Sequence, residues 1–222
     1  MKQARSRYWG AFLLLLALLV ALAVWNINAG SVSLSGAEIL RILCGPSDGS
    51  TEYGIVRTLR LPRICAAIIL GGGLSVSGFL LQTFFANPIA GPFVLGISSG
   101  AKLAVSLVMI SLLSRGIAAG SAALIGAAFL GAMLSMGFIL AVSQRVKRMS
   151  MLVVCGVMIG YICSAVTDFA VTFAEDSNIV NLHNWSMGSF SGIYWDSVAV
   201  MAAVVGVSMA LAFLLSKPIG AY

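Results

Sequence analysis

The stretch from Arg57 to Lys102, RTLRLPRICAAIILGGGLSVSGFLLQTFFANPIAGPFVLGISSGAK, joins a basic edge, an apolar run of membrane length and a Pro/Gly break. Between Arg63 and Lys102 no side chain is charged. Asn87-Pro88 and Gly91-Pro92 interrupt this run, and proline lacks the N–H that a helix interior uses. The pattern predicts one membrane helix over about 64–85, an irregular turn built on Asn87, Pro88 and Pro92, and a second helix from near Ser98.

Working outward, the 222 residues are 60% hydrophobic and 9% charged, whereas a soluble domain is about half apolar and a quarter charged. The chain is therefore an integral membrane protein. Each crossing takes ~20 apolar residues, so an all-α polytopic fold of about six transmembrane helices is expected, with spans near 8–28, 64–85, 98–113, 117–142, 152–173 and 197–215. Long Leu/Ala/Val/Gly runs, rather than alternating decamers, argue against a β-barrel. The net charge of +6 comes from basic residues scattered in small groups between apolar runs. That is topogenic and headgroup-facing charge, not a nucleic-acid surface. Cys65, Cys155 and Cys163 fall inside spans and Cys44 stands alone in a loop, so neither a disulfide framework, a zinc site nor a cofactor is expected.

Lys2, Arg5 and Arg7 precede the first apolar run and place the N-terminus in the cytoplasm. The run continues uncharged to Ala37 without a good small-x-small cleavage site, which favours an uncleaved helix over a signal peptide. Residues 30–63 are then external, with Ser35 and Glu38 forming a capping box for a short interfacial helix. Arg115-Gly116 makes a tight external turn, and Arg145, Lys147 and Arg148 mark a cytoplasmic loop. Residues 175–196 carry no Lys or Arg and sit outside, and Lys217-Pro218 returns to the cytoplasm. This topology leaves Arg41, Arg57, Arg60 and Arg63 outside, against the topogenic rule. They serve either as headgroup contacts or as a docking site for an acidic partner, since paired arginines hold carboxylates bidentately.

Arg60-Leu61-Pro62-Arg63, Ser77-Gly78 with Gln82, Asn87-Pro88-Ile89-Ala90, the Leu95 to Ala101 string LGISSGA, Cys155-Gly156 and the Trp185 to Ser189 string WSMGS together resemble the permease subunits of ABC importers for iron-siderophores, haem and vitamin B12, the FecCD family. The resemblance covers nearly the whole chain. It implies a transmembrane permease subunit that works with a separate ABC ATPase subunit, an extracytoplasmic substrate-binding protein and a second permease copy. It also implies that Arg60 and Arg63, with Arg57 assisting, meet glutamates of the binding protein, and that the second and fifth helices border the translocation route. Family permeases have about ten helices, so this chain corresponds to the N-terminal six-helix part, with a missing C-terminal half as a further partner. A non-transporting scaffold or a truncated remnant is the alternative.

Within the helices, Ala67, Gly71 and Ser75, with Ser77, and Gly156, Gly160 and Ser164 are small residues that either pack helices closely or line the path, together with Gln82. Asp168 is the acidic group well inside an apolar run. Because a lipid-exposed carboxylate costs ~2.5–3.5 kcal/mol or more, it is expected to face the protein or a wet cavity with Gly156 and Gly160, either as a group on the path or as a structural hydrogen-bond acceptor. Gly96 to Gly100 matches G-x-S-x-G, but the single histidine, His183, is expected at the opposite membrane face from Ser98, which argues against a serine hydrolase. With no Walker A motif, no catalytic role is expected.

Overall fold

The computed structural model describes residues 2–28, 34–46, 49–117, 120–146, 149–174 and 176–219. Its helices, in order, are α1 (Lys2–Asn28), α2 (Gly36–Cys44), α3 (Thr51–Phe84), α4 (Ile97–Leu113), α5 (Ser121–Ser143), α6 (Met149–Thr172), α7 (Asp176–Met187) and α8 (Trp195–Ile219). No strand occurs among the described residues. Five of the helices (α1, α3, α5, α6 and α8) are long and apolar enough to cross a membrane. The 17-residue α4 is ~25 Å long at 1.5 Å per residue, short of a hydrocarbon core of ~30 Å.

Several boundaries differ from the expected spans. α3 begins at Thr51 instead of near Ile64, because Ser50 caps it by accepting from Tyr53 N at 3.2 Å and Glu52 sits in its first turn, where an acid favours the helix N-terminus. α5 begins at Ser121 instead of near Ile117. The chain first closes α4 with Gly116 at φ +72°, Gly116 N donating to Leu113 O and Ile117 N to Leu112 O, which is a Schellman closure. α7 lies in a segment expected to be loop, and α8 continues through Pro218. The chain divides into two compact units, Met1–Gly72 with Phe190–Leu215, and Gly73–Ser189 with Ser216–Tyr222.

In the first unit, α2 lies on the ends of α1 and α3. Its Ile39 and Ile42, one turn apart, are buried with Ile27, Leu34, Val56 and Ile64, and its remaining face is largely exposed. The expected capping box is present: Ser35 N and Oγ donate to Glu38 Oε2 at 2.8 and 2.9 Å, and Glu38 N donates back to Ser35 Oγ at 3.3 Å. The Ser35 backbone N–H, followed by its hydroxyl, holds the Glu38 carboxyl below the usual carboxylate range.

Within α3, residues Ile55–Arg60 form a π-helical stretch, and Pro62 accounts for it. In an α register the Pro62 ring would strike the Thr58 carbonyl. The wider turn relieves that contact, with Leu61 N donating five residues back to Val56 O. In this register the Arg57 carbonyl should accept from residue 62, which as proline has no N–H. The Trp195 indole supplies the missing donor, Nε1 to Arg57 O at 2.8 Å.

In the second unit, glycines let backbones meet. A Cβ on Gly131 of α5 would come within 2.7 Å of Ala104 Cβ on α4, and one on Gly156 of α6 within 2.8 Å of Leu95 Cα. Gly96, at φ +70°, could carry no side chain either, since its Cβ would lie 2.7 Å from Gly156 O. Phe85, Ala90, Leu95, Ile139, Leu152 and Val153 form one core cluster, and Val105, Met109, Ala127 and Leu182 a second.

Two outcomes follow from this packing. Gly131→Ala is expected to lower stability in detergent melts by ~1–3 kcal/mol through overpacking, while Gly137→Ala on the same helix, with open space around it, stays within ~1 kcal/mol of wild type. Equal melting of the two variants would refute the close crossing. Trp195→Phe should cost ~0.5–1.5 kcal/mol in the native chain and markedly less in a Pro62→Ala background, where residue 62 regains an N–H for the Arg57 carbonyl. A double-mutant cycle with no coupling would contradict the assigned role of the indole.

Candidate functional site

Three arginines on neighbouring turns of α3 were expected to act together, and the structure gives them different surroundings. Arg57 reaches the C-terminal turn of α2, with Nε and Nη2 donating to Ile42 O at 3.4 and 3.3 Å and Nη2 to Leu43 O at 2.9 Å. Its guanidinium also lies 5.6 Å from the centre of the Tyr53 ring. Arg60 is 8% exposed and donates through Nη1 to Ile27 O, in the last turn of α1. A cation on the free carbonyls of a helix C-terminus satisfies them and complements the dipole. Arg57 and Arg60 thus clamp the ends of α2 and α1 onto α3. Arg63 is half-buried, and its buried Nε has no acceptor. It lines, with Asn26 and Phe190, a cleft between α1 and the first part of α3.

Further along α3, Gly71, Ser75 and Gln82 are exposed and Ser77 is half-buried. At 100° per residue, Gly71, Ser75 and Gln82 fall within ~40° of one another, while Ser77 lies ~120° or more away. Gly71 has no neighbour within 4 Å of where a Cβ would be, so α3 is open at this position among the described residues.

α3 ends in a Schellman closure: Ala86 N donates to Thr83 O at 3.2 Å and Asn87 N to Gln82 O at 3.1 Å, with Ala86 at φ +46°. Asn87 then turns the chain by accepting Ile89 N on Oδ1 at 3.0 Å, and Pro88 blocks any return to helix. Ala90 and Leu95 on either side of Pro92 are fully buried, so the expected irregular turn is a packed one.

On α6, Gly156 is buried and Gly160 half-buried against Leu95 and Gly96. The packed face continues through Thr167, which is 2% exposed and donates to Cys163 O at 2.8 Å. Ser164 and Asp168 are exposed. The expectation that Asp168 shares the face of Gly156 and Gly160 is therefore corrected: each step of four residues drifts ~40°, and three such steps carry Asp168 ~120° off the face. Cys65, Cys155 and Cys163 are free thiols, while the Cys44 side chain and Lys147-Arg148 lie outside what is described. Ser98 sits in the first turn of α4 and His183 is exposed on α7. No metal-holding group of His, Cys, Asp and Glu occurs among the described residues.

These elements, long apolar helices with packed glycine crossings and a structured proline break, define a helical membrane permease fold. A solved structure assigned to the metal-chelate type of ABC transporter, in an inward-facing conformation, matches it with a TM-score of 0.74 at 24% identity, covering 92% of this chain and 61% of that one. The model of the FecCD transport family matches residues 15–222, and the chain belongs to that family. The vitamin B12 import system permease protein BtuC of Klebsiella pneumoniae is 35% identical over 207 residues, 93% of this chain and 59% of that protein. The hemin transport system permease protein HmuU of Yersinia pestis is 32% identical over 192 residues, 86% of this chain and 56% of that protein. The chain spans less than two thirds of the length of either relative.

The clamp has a measurable consequence. Arg60→Gln is expected to lower stability in lipid-free detergent by ~1.5–3 kcal/mol, the contribution of a hydrogen bond to a charged group, and Arg57→Gln by a similar or smaller amount. Arg63→Gln, which removes no bond within the described chain, should stay within ~0.5 kcal/mol. Identical thermal shifts for all three variants would remove the distinction drawn between them.

Proposed function

We propose that this chain forms part of the membrane path of a binding-protein-dependent ABC importer that moves an iron-siderophore, haem or cobalamin-type chelate into the cytoplasm. The observation that carries this reading is the family match over residues 15–222. The roles that the relatives' names carry, vitamin B12 import for BtuC and hemin transport for HmuU, support the chelate class. The partners in this reading are an ABC ATPase subunit, an extracytoplasmic substrate-binding protein, and a second permease copy or a C-terminal half. The basic flanks Lys2, Arg5, Arg7 and Arg145 support a cytoplasmic N-terminus. The exposed row of Gly71, Ser75 and Gln82 on α3 supports a path-lining role for that helix, and Asp168 and Ser164 stand on the open face of α6.

Docking of the binding protein belongs, in this reading, to the surface built by α2 and the start of α3. Arg60 and Arg63, with Arg57 assisting, are the docking arginines in this reading, and Arg41 stands exposed on α2. The reading is tested by co-expressing the chain with a family C-terminal half, ATPase and binding protein, then measuring uptake of cobalamin, haem and a ferric siderophore into proteoliposomes. ATP-dependent uptake of one chelate, with the ATPase retained on purification of the tagged chain, is the expected result. A stable, correctly inserted chain that neither retains the ATPase nor supports uptake would overturn it in favour of a scaffold.

A further inference from the structure

A docking arginine must offer its guanidinium to a carboxylate from outside, yet Arg60 is buried and its Nη1 already donates to the Ile27 carbonyl in the last turn of α1. Arg63, one turn along α3, is half-buried, and its Nε has no acceptor among the described residues. The two guanidinium groups of one docking pair thus start from different states.

The acceptors open to Arg60 are unequal. A helix C-terminus carries about half an elementary negative charge, spread over carbonyls that have no partner inside the helix. A carboxylate carries a whole charge and takes two parallel donors from one guanidinium. An acid seated on Arg63 stands close to Arg60, since side chains three apart on a helix have Cβ atoms ~5–6 Å from each other. Where a docked partner has expelled water, the full charge outcompetes the half charge.

We infer that Arg60 is an exchangeable latch. Without a partner it holds the end of α1 on α3; when an acidic partner docks, the guanidinium passes from Ile27 O to a carboxylate and releases that end. This rests on the docking role proposed above. Arg57 takes no part in the exchange. It is held by the Ile42 and Leu43 carbonyls of α2 and by the Tyr53 ring 5.6 Å away, and its own carbonyl is taken by Trp195. The end of α2 therefore stays seated while the end of α1 loosens. Ile27 still packs with Leu34, Ile39 and Val56, and Asn28 Oδ1 still accepts from Leu34 N at 3.3 Å, so the last turn frays but remains tethered. A binding event at the surface becomes a change in how firmly a membrane helix is held, because the partner and the α1 carbonyl draw on one guanidinium.

The test is hydrogen exchange, followed by mass spectrometry, on the transporter assembled in nanodiscs with the family C-terminal half, ATPase and binding protein of the uptake assay. Saturating binding protein is expected to speed exchange of the amides of residues 24–28 roughly tenfold, while those of residues 40–44 in α2 do not speed up. Arg60→Gln should show the fast exchange at 24–28 before any binding protein is added, no further change afterwards, and at least roughly tenfold weaker association. Arg63→Gln should also weaken association, yet leave 24–28 slow until the binding protein saturates. If wild type binds and both variants weaken binding while residues 24–28 stay slow, the latch is refuted and docking stands. Equal affinity of wild type and Arg60→Gln also refutes it, because the guanidinium then stays on α1 throughout. If wild type takes up no binding protein at all, docking itself fails and the latch with it. Should Arg60→Gln fail to fold, the change in wild-type exchange decides alone.

Discussion

One absent hydrogen atom, the amide proton that Pro62 does not have, shapes the first unit. The ring forces the preceding turn of α3 open into a π register, and the lost donor strands the Arg57 carbonyl until Trp195 caps it at 2.8 Å. The wider turn also sets where Arg57 and Arg60 leave the helix. From there one guanidinium reaches the end of α2 and the other the end of α1. A helix C-terminus presents carbonyls with no internal partner, and in or near lipid water is a poor substitute. Two helix ends are therefore satisfied by two side chains of a third helix, and α2, only nine residues long, gains a fixed seat that its own length could not secure.

The second unit solves a different problem by a different route. Between helices in lipid, burying leucine gains little, because the acyl chains are as apolar as the side chain. Phe129 and Leu134 are 63% and 75% exposed at no cost in such a solvent. What remains to hold α4 against α5 and α6 is close contact and backbone geometry. Gly96, Gly131 and Gly156 each stand where a methyl group would collide with a neighbouring backbone or side chain. The turn after α3 is held to the same standard. Ala86 accepts a left-handed conformation that costs ~1–2 kcal/mol for a residue with a Cβ, and the Schellman bonds and the buried Ala90 and Leu95 offset it.

The features legible in the sequence are those with a local cause. Uncharged apolar runs located the long helices, Ser35 and Glu38 declared their capping box, Arg115-Gly116 its turn, and Asn87-Pro88 the end of α3. The early start of α3 is hidden because Arg57, Arg60 and Arg63 read as external headgroup or docking charge before a helix, although Ser50 and Glu52 carry the start signal. α7 was missed because its polar composition resembles a loop, and Leu182 and Trp185 secure it only through contact with α4, α5 and α6 residues. Asp168 was misplaced by counting in fours, which ignores the drift of an α-helix away from a four-residue repeat. Thr167, one position earlier, returns to the packed face. The clamp itself has no local signature, since residues 33 positions apart for Arg60 and Ile27 pair only once the chain has folded.

The three arginines show why charge counted along a sequence is a weak guide to role in a membrane protein. Arg57, Arg60 and Arg63 recur every three residues at the start of α3. A single purpose for all three is the economical reading of the sequence, yet their neighbours differ. Two meet helix carbonyls, which are fixed, neutral and part of the chain, so their charge is answered by dipoles and is not available in full to a partner. The third, Arg63, has no acceptor for its buried Nε among the described residues. The same three-residue spacing thus yields two arginines bonded to helix ends and one whose Nε has no acceptor among the described residues, and the difference arises from the ends of α1 and α2 lying within reach of one side of the π turn.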